Sequence, residues 1–373
     1  GLGDVYKRQG VGVAIAAGGP GAIFWCWLTG VLGMATRYSE GLLAIKYRVE
    51  NKDGNMSGGP MFVLERGMKC KWLGVAFAVF TAIAAFGIGN LTQGNAAAEQ
   101  LHHAFAIPSW GTAAVLTILT ALVMLGGIRS IAKVCAFFVP FMAVIYIIGC
   151  VYILAVQSHY ILPAIRYILD CAFTGEAAAG GVVGAAVMTA MRTGVARGLF
   201  SNEAGLGSAA IASAAAQNRN PVRQALISSS GPFWDTVVIC ALTGIVLTTS
   251  ILAHPDISSS DGPRLTTLAF SKIPYVGSPL LTVSLVTFVV STILGWSYFG
   301  EKALEYLGGI RLITPYRVIW VAAVFTGCVS KIDLVWVFAD CANGLMALPN
   351  LISLLALSGV LVQQTRYYLW QHR

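Results

Sequence analysis

The most informative stretch of this chain is Arg197-Gly-Leu-Phe200-Ser-Asn-Glu203-Ala-Gly205-Leu-Gly207-Ser-Ala209. It lies inside an apolar segment long enough to cross a membrane, yet its Ser, Asn and Gly residues are poor material for a helix interior. Backbone that leaves the helix at membrane depth is tolerated only where protein or a water-filled cavity satisfies its hydrogen bonds. The stretch therefore predicts a helix unwound over Ser201–Gly207, whose half-helix ends suit a carboxylate and Na⁺. A kinked structural helix, in which Glu203 pairs with Arg197, is the alternative.

The composition around this stretch is that of a helical membrane protein. The chain is 57 % hydrophobic and 11 % charged over 373 residues, whereas soluble domains are roughly 45–50 % apolar and 25 % charged. Its apolar runs reach about 20 residues, the length that crosses the hydrocarbon core of a bilayer. They do not alternate in polarity as the strands of an outer-membrane barrel do. The eight cysteines are scattered without metal-binding spacing. The sequence predicts an all-α polytopic membrane protein without a metal site or a disulfide framework.

About ten transmembrane segments are predicted from the apolar runs. They are Gly10–Ala17, Ala22–Tyr47, Leu73–Leu101, Trp110–Leu125, Ala136–Val156, Gly180–Ala216, Ala225–Leu252, Pro279–Leu307, Tyr316–Val329 and Leu334–Tyr368. Between them we expect a polar loop at Glu50–Pro60 and an interfacial helix at Ser158–Phe173. The longest loop outside a helix is expected at His254–Lys272.

The basic residues give these segments an orientation. If successive segments alternate in direction, most lysines and arginines fall in loops on one side, and only Arg166, Arg264, Lys272 and Lys331 fall on the other. The positive-inside rule makes the first side cytoplasmic and places the C-terminus in the cytoplasm. The same loops account for the net charge of +8, so no nucleic-acid partner is expected.

The first nine residues, Gly1–Gln9, differ in character from the apolar segment that begins at Gly10. They lack the apolar core of a signal peptide and resemble translated sequencing-adapter read-through of the kind found on environmental gene fragments. We treat them as a non-native leader before a transporter domain of residues 10–373, with the native N-terminus missing.

An internal repeat is visible between the third and eighth segments. Gly89–Leu101 aligns without gaps to Gly295–Leu307, with five of thirteen positions identical. Segments that are five apart cross the membrane in opposite directions. The alignment therefore predicts two inverted-topology repeats, residues 10–157 and 180–368, an arrangement typical of secondary transporters.

Polar side chains inside two segments are candidates for a solute path. Asn90 and Gln93 in the third segment either face a solute or hold helices together. Ser291 and Thr292 in the eighth segment either ligate Na⁺ or bond to their own backbone carbonyls. Trp296, one turn further, is either a lid over a small pocket or buried packing.

Two charged residues in the second segment have a structural interpretation. Arg37 and Glu40 are three residues apart and can pair on one helix face. Ionisable groups inside a membrane are functional candidates by default, but such a local pair is structural more often than not.

Five blocks, in order along the chain, resemble the alanine/glycine:cation symporter family, also called the sodium:alanine symporter family. They are Gly18-Gly-Pro-Gly-Ala-Ile-Phe-Trp-Cys-Trp-Leu-Thr-Gly-Val-Leu-Gly33, Gly87–Asn90, Gly194–Ser208, Thr292–Glu301 and Asp340–Asn350. Cys26 stands where the family usually has Met. The resemblance implies a LeuT-like bundle of five plus five helices, here with the first core helix incomplete.

The same resemblance implies roles for individual residues. Thr292 and Trp296 would line the substrate or ion site, Gln93 would contact the amino acid, and Phe200 would lie on the unwound sixth helix. With the polar residues above, the predicted substrate-binding set is Gln93, Asn90, Phe200, Trp296, Ser201 and Gly205. The predicted sodium-binding pair is Thr292 and Ser291, and the predicted structural ion pairs are Arg37 with Glu40 and Arg197 with Glu203.

The predicted function is sodium-coupled symport of alanine or glycine into the cytoplasm by alternating access. We expect a monomer in the bacterial plasma (inner) membrane that needs no cofactor, with Na⁺ as the coupling ion. A proton-coupled amino-acid transporter is the nearest alternative. A membrane-embedded enzyme is a second alternative, against which the chain has no HExxH motif. A channel is a third, and nothing resembles a TVGYG-type filter.

Overall fold

A computed structural model describes residues 5–51, 54, 56–174, 183–330 and 333–371 of the chain. Helices dominate the first half, as the apolar composition predicts. They are α1 (Val5–Gly18), α2 (Ala22–Lys46), α3 (Pro60–Phe62), α4 (Lys71–Phe86), α5 (Thr92–Phe105), α6 (Ser109–Leu125), α7 (Gly127–Val156) and α8 (Ile161–Thr174). Two short strands, β1 (Val49–Glu50) and β2 (Met56–Ser57), form an antiparallel hairpin after α2. The hairpin lies where a polar loop was predicted.

The second half continues the helical pattern. Its helices are α9 (Val183–Asn202), α10 (Ser208–Ala214), α11 (Pro221–Pro232), α12 (Ala241–Ala253), α13 (Leu265–Ser271), α14 (Gly277–Gly308), α15 (Ile313–Val329), α16 (Asp333–Ala356) and α17 (Ser358–Arg366). π-helical turns join some of these elements, notably Gly87–Leu91 between α4 and α5 and Phe233–Cys240 between α11 and α12. Such wider turns occur mostly as bulges within longer helices, frequently at functional sites.

Five described helices are long and apolar enough to cross a membrane. They are Lys71–Phe105, Arg129–Val156, Pro221–Ala253, Gly277–Gly308 and Ile310–Val329. A sixth span results if Cys341–Ala356 and Ser358–Trp370, which are bent by 57° at their junction, count as one. All of them overlap predicted segments, whereas the total of about ten stays a prediction.

The segment predicted as the longest loop, His254–Lys272, is partly helical, so that prediction was wrong. A 3₁₀ turn at Ser259–Arg264 leads into α13, whose Leu265, Ala269 and Phe270 are fully buried. This apolar face stabilises a helix too short to register in a hydropathy scan.

Outside α13, Lys272 Nζ donates to Asp256 Oδ2 at 2.6 Å. This hydrogen bond lowers the pKa of the exposed Asp256 carboxyl.

The chain forms two compact units, each made of interleaved segments. The first unit comprises residues 1–32, 137–202 and 232–288. Within it, α9 approaches the start of α2 so closely that a Cβ on Gly194 or Gly198 would collide with α2 atoms. Trp25 Nε1 donates to the Ala172 carbonyl at 3.3 Å, which joins α2 to α8.

The second unit comprises residues 33–136, 203–231 and 289–373. In it α15 packs against α5 and α6, and α16 packs against α4. The fully buried Trp320 of α15 contacts the rings of Phe86 and Tyr316 at centroid distances of 5.2 and 5.5 Å. The two predicted repeats do not coincide with these units, and the inverted symmetry stays a prediction.

Part of the predicted leader lies outside the described residues. Residues 1–4 are not described, and α1 begins at Val5, so the backbone of Val5–Gln9 is helical. The side chains of those five residues also lie outside the description. The expectation that Gly1–Gln9 does not pack as part of a membrane span therefore stays a prediction.

Candidate functional site

The helix break predicted from the sequence is present. α9 ends at Asn202 and α10 begins at Ser208, so Glu203–Gly207 leaves the helix. The break starts two residues later than predicted, because Ser201 and Asn202 still belong to α9. Three residues in it have left-handed backbone angles, with φ of 53° at Glu203, 91° at Gly205 and 82° at Gly207.

Glycine is required at the end of this break for two reasons. The φ of 82° at Gly207 lies in the left-handed region, which is costly for residues that carry a Cβ. In addition, a Cβ on Gly207 would lie 2.5 Å from Pro60 Cγ and 3.0 Å from Asn350 Cγ. Gly207 therefore permits both the turn and the close approach of Pro60 and Asn350.

The backbone of the break is held by two side chains that the sequence analysis did not assign to it. Glu40 Oε1 accepts hydrogen bonds from the N–H groups of Gly205 at 2.9 Å and Gly207 at 3.1 Å. It also accepts one from Asn350 Nδ2 at 2.7 Å, and the same nitrogen donates to the Gly205 carbonyl at 2.9 Å. Glu40 and Asn350 are each only 2 % exposed. These bonds satisfy the N–H groups of Gly205 and Gly207 and the Gly205 carbonyl within the protein, as membrane-embedded backbone requires.

The predicted ion pair of Arg37 and Glu40 falls on two side chains that lie close together. Arg37 Nη1 lies 3.9 Å from Glu40 Oε2, and both side chains are buried. The second predicted pair consists of Arg197 and Glu203. Arg197 belongs to the first unit, whereas Glu203 belongs to the second. Glu203 Oε2 accepts a hydrogen bond from Ser208 Oγ at 2.8 Å. Its pairing with Arg197 stays a prediction.

Ser201, predicted to bind substrate, has a buried acidic neighbour in the first unit. Its Oγ donates to Asp235 Oδ2 at 2.8 Å, and Asp235 lies in the π-helical turn Phe233–Cys240. Asn202 Nδ2 donates to the Thr29 carbonyl at 3.2 Å. Phe200, one residue before Ser201, is half-buried. Its contact with a central cavity stays a prediction.

The predicted polar residues of the third segment cluster at its π-helical turn. Asn90 lies within Gly87–Leu91 and donates through Nδ2 to the Trp320 carbonyl at 2.9 Å. Gln93, in the next turn, donates through Nε2 to the Ile88 carbonyl at 3.0 Å. Both side chains are fully buried. Asn90 Oδ1 has no hydrogen-bond partner within the described part of the chain, which leaves one buried acceptor open.

The π-helical turn packs directly against the eighth segment. A Cβ on Gly89 would collide with the Cβ of Trp296, so only glycine allows this approach. Trp296 is 3 % exposed and meets Phe299 edge-on at 5.5 Å. Ser291 and Thr292, one turn before Trp296 on α14, are buried as well. The second unit therefore brings the amide-bearing turn of the third segment to the helix that carries the predicted sodium residues.

A cavity of about 410 Å³ lies in the second unit, but not at this position. Its polar lining includes Arg129, Glu301, Lys302, Glu305 and Arg317. Lys302 Nζ donates to Glu305 Oε2 at 2.6 Å, and Arg317 holds both carboxyl oxygens of Glu301 at 2.8 and 3.0 Å. None of the predicted substrate or sodium residues belongs to its described lining.

Comparisons with known proteins agree with the membrane-transport character of these features. A family model described as the sodium:alanine symporter family matches residues 1–373. The sodium/alanine symporter AgcS of Methanococcus maripaludis is 50 % identical over 364 residues, which cover 96 % of this chain and 80 % of that protein. GlnT of Bacillus subtilis, described as a "probable sodium/glutamine symporter", is 36 % identical over 370 residues, covering 98 % of this chain and 75 % of GlnT.

A solved structure shares the fold. The crystal structure of a manganese transporter from Eremococcus coleocola matches with a TM-score of 0.50 at 14 % identity, covering 99 % of this chain and 88 % of that one. At this identity the likeness concerns the arrangement of helices alone.

Proposed function

Because this chain belongs to the sodium:alanine symporter family, we propose that it carries alanine or glycine into the cytoplasm together with Na⁺. The protein is a multi-pass membrane transporter and not an enzyme. The substrate, the coupling ion and the direction are our proposal. So are alternating access in a LeuT-like five-plus-five bundle and a plasma-membrane orientation with the C-terminus in the cytoplasm.

One observation carries the proposal, namely the packing of Trp296 on the π-helical turn Gly87–Leu91. It supports a site in which the third segment binds the amino acid and the eighth segment binds the ion. Asn90 Oδ1, a buried acceptor, is suited to the ammonium group of an amino acid. The hydroxyl oxygens of Ser291 and Thr292 are suited to Na⁺, which prefers oxygen ligands. Trp296 would limit the space left for the substrate side chain, which favours alanine or glycine.

In this proposal the break matters for its backbone conformation more than for its N–H donors. The N–H groups of Gly205 and Gly207 already bond to Glu40. We therefore propose that Gly205 acts through its backbone conformation, whereas Gln93, Phe200 and Ser201 remain proposed substrate contacts. Among relatives, GlnT is described as acting on glutamine, so a larger neutral amino acid is a competing substrate that the test must include.

The test is uptake by the full-length protein in proteoliposomes. Labelled alanine, glycine and glutamine are offered with an inward Na⁺ gradient, with a pH gradient, or with neither, at equal ionic strength. We expect saturable accumulation of alanine or glycine that requires Na⁺ and disappears when an ionophore dissipates the Na⁺ gradient. Accumulation driven equally well by a pH gradient without Na⁺ would identify the proton-coupled alternative. Uptake that never saturates would identify a channel.

A further inference from the structure

The half-helix after the break, α10, is bonded at both ends to one other stretch of chain. On its N-terminal side, the N–H groups of Gly205 and Gly207 donate to Glu40 Oε1. Glu40 lies in the last turns of α2. A carboxyl group here also suits the partial positive charge that exposed N–H groups create before a helix.

The C-terminal side of α10 is bonded to an arginine just beyond the end of α2. Arg48 Nη1 donates to the Ala214 carbonyl at 3.1 Å and to the Ala216 carbonyl at 2.6 Å. Its Nη2 donates to the Asn218 carbonyl at 3.1 Å. The last carbonyls of a helix have no intrahelical partner, and a cation there also complements the helix dipole.

Between these two ends the two helices are in direct contact. Ala44 forms a buried cluster with Ala210 and Ala214, each at most 2 % exposed. Glu40 and Ala44 are one turn apart and therefore share a face of α2. Gly58 lies beside this cluster, and a Cβ added to it would lie only 2.6 Å from the Cβ of Ala214. Small residues let the backbones approach, and the two charged side chains then fix the position along the axis.

We infer that Glu40 and Arg48 are positioning residues, which fasten α10 to the end of α2 and thereby set the geometry of Glu203–Gly207. The inference rests on the proposed function, because it assigns this geometry a role in binding substrate and Na⁺. Neither residue is required to touch the transported solute. Glu40 acts on the N-terminal end of α10, and Arg48 acts independently on its C-terminal end.

The first measurement needs no substrate. Hydrogen exchange is followed on peptides covering residues 203–218 in the purified protein, its Glu40→Ala, Glu40→Gln and Arg48→Ala variants, and the control Glu301→Gln. We expect Glu40→Ala to speed exchange at Gly205 and Gly207 by roughly tenfold or more, the value of a hydrogen bond to a carboxylate. Glu40→Gln keeps an acceptor oxygen, so its effect should be smaller. Arg48→Ala should speed exchange at residues 214–218. The control Glu301→Gln should change exchange neither there nor at Gly205 and Gly207.

The second measurement separates positioning from simple stabilisation. Uptake is compared per amount of folded protein, and half-saturating alanine and Na⁺ concentrations are determined alongside the maximal rate. Positioning predicts several-fold higher half-saturating concentrations in Glu40→Ala and Arg48→Ala, with partial rescue in Glu40→Gln and Arg48→Lys.

The outcomes distinguish this inference from the proposed function. Unchanged exchange over 203–218 in both alanine variants overturns the inference, whatever the transport result. Faster exchange with unchanged half-saturating concentrations leaves only a structural role and also overturns it. If Glu40→Ala does not fold, Arg48→Ala decides, since Arg48 is half-buried and outside α2. If the unmodified protein does not transport alanine or glycine with Na⁺, the proposed function is rejected instead. The exchange results still test whether Glu40 and Arg48 hold residues 203–218 in place.

Discussion

At the scale of single residues, the helix α14 carries two proposed functions one turn apart. Thr292 and Trp296 are separated by four residues and therefore share one face of α14. They are 7 % and 3 % exposed, respectively. The hydroxyl offers an oxygen to an ion, whereas the indole offers only shape and an N–H donor. Substitutions at the two positions should therefore alter different properties of transport.

The first prediction concerns Thr292→Val, which keeps the branched shape and removes the oxygen. We expect the Na⁺ concentration for half-maximal alanine uptake to rise by roughly tenfold, because a buried ion loses one charge-assisted interaction. The maximal rate at saturating Na⁺ should change less. Initial uptake rates against Na⁺ concentration provide the measurement. Uptake equal to the parent protein at limiting Na⁺ would remove Thr292 from the ion site.

The second prediction concerns Trp296→Ala, which opens space beside the π-helical turn. We expect weaker binding of alanine or glycine, or entry of larger neutral amino acids, with little change in Na⁺ dependence. Loss of so large a buried side chain also costs about 3–5 kcal/mol of stability, so rates are compared per amount of folded protein. Competition of labelled alanine uptake by glycine, leucine and glutamine provides the measurement. A changed Na⁺ requirement with an unchanged substrate profile would reverse the two assignments.

At the scale of elements, the break in the sixth segment depends on the conformation of Gly207. The third prediction is that Gly207→Ala lowers both the amount of folded protein and the uptake rate. Its φ of 82° and the 2.5 Å approach to Pro60 Cγ each penalise a Cβ. Thermal unfolding in detergent and uptake provide the measurements. Gly359→Ala is the matched control, because a Cβ there meets nothing within 4 Å. Equal stability of the two variants would contradict the strain argument.

The break could be predicted from the sequence, but its partners could not. Glycine, serine and asparagine in a membrane helix are a local signal, and they located Glu203–Gly207 to within two residues at its start. Glu40 and Asn350 are 165 and 145 residues from Gly205 in the chain. No local pattern specifies such contacts. The only hint of these contacts was that Glu40 is a charged residue inside a predicted membrane segment. The sequence analysis explained that charge by pairing Glu40 with the nearby Arg37.

Two other elements escaped prediction for related reasons. The π-helical turn Gly87–Leu91 continues the apolar helix on both sides, and a wider turn of one residue leaves no trace in a hydropathy pattern. α13 has only seven residues, flanked by Gly262 and Pro263 before it and Pro274 after it. Its apolar face is recognisable only once a neighbouring surface buries it.

At the scale of the whole molecule, the charge distribution predicts an orientation. The fourth prediction is that a cysteine at Arg219 is labelled only from the cytoplasm and a cysteine at Ser260 only from outside. Both side chains are exposed in the structure, and the positive-inside rule assigns them to opposite sides. Intact cells and inverted vesicles are treated with a membrane-impermeant maleimide, with the unmodified protein as the background. Labelling of both positions from the same side would contradict the alternating arrangement.

The predicted inverted repeat also belongs to this scale. Gly89 and Gly295, the first residues of the two aligned stretches, lie in the π-helical turn and in α14, respectively. The repeat requires the third and eighth segments to superpose by a pseudo-two-fold rotation about an axis in the membrane plane. The packing of Gly89 on Trp296 brings the two stretches together but does not depend on that symmetry.

The bond from Asn350 to Gly205 has a consequence for biosynthesis. Ribosomes deliver the chain from its N-terminus, so Glu40 is available to the break as soon as residues 203–207 are made, whereas Asn350 is added near the end. A nascent chain that stops before α16 can therefore insert its earlier helices, but its Gly205 carbonyl lacks the hydrogen bond from Asn350. The bonds of Asn350 to Glu40 and to the Gly205 carbonyl can therefore form only after the last segment is made. Quality-control proteases should accordingly remove chains truncated before residue 333 faster than chains truncated after residue 357, and pulse–chase lifetimes of the two would reveal it.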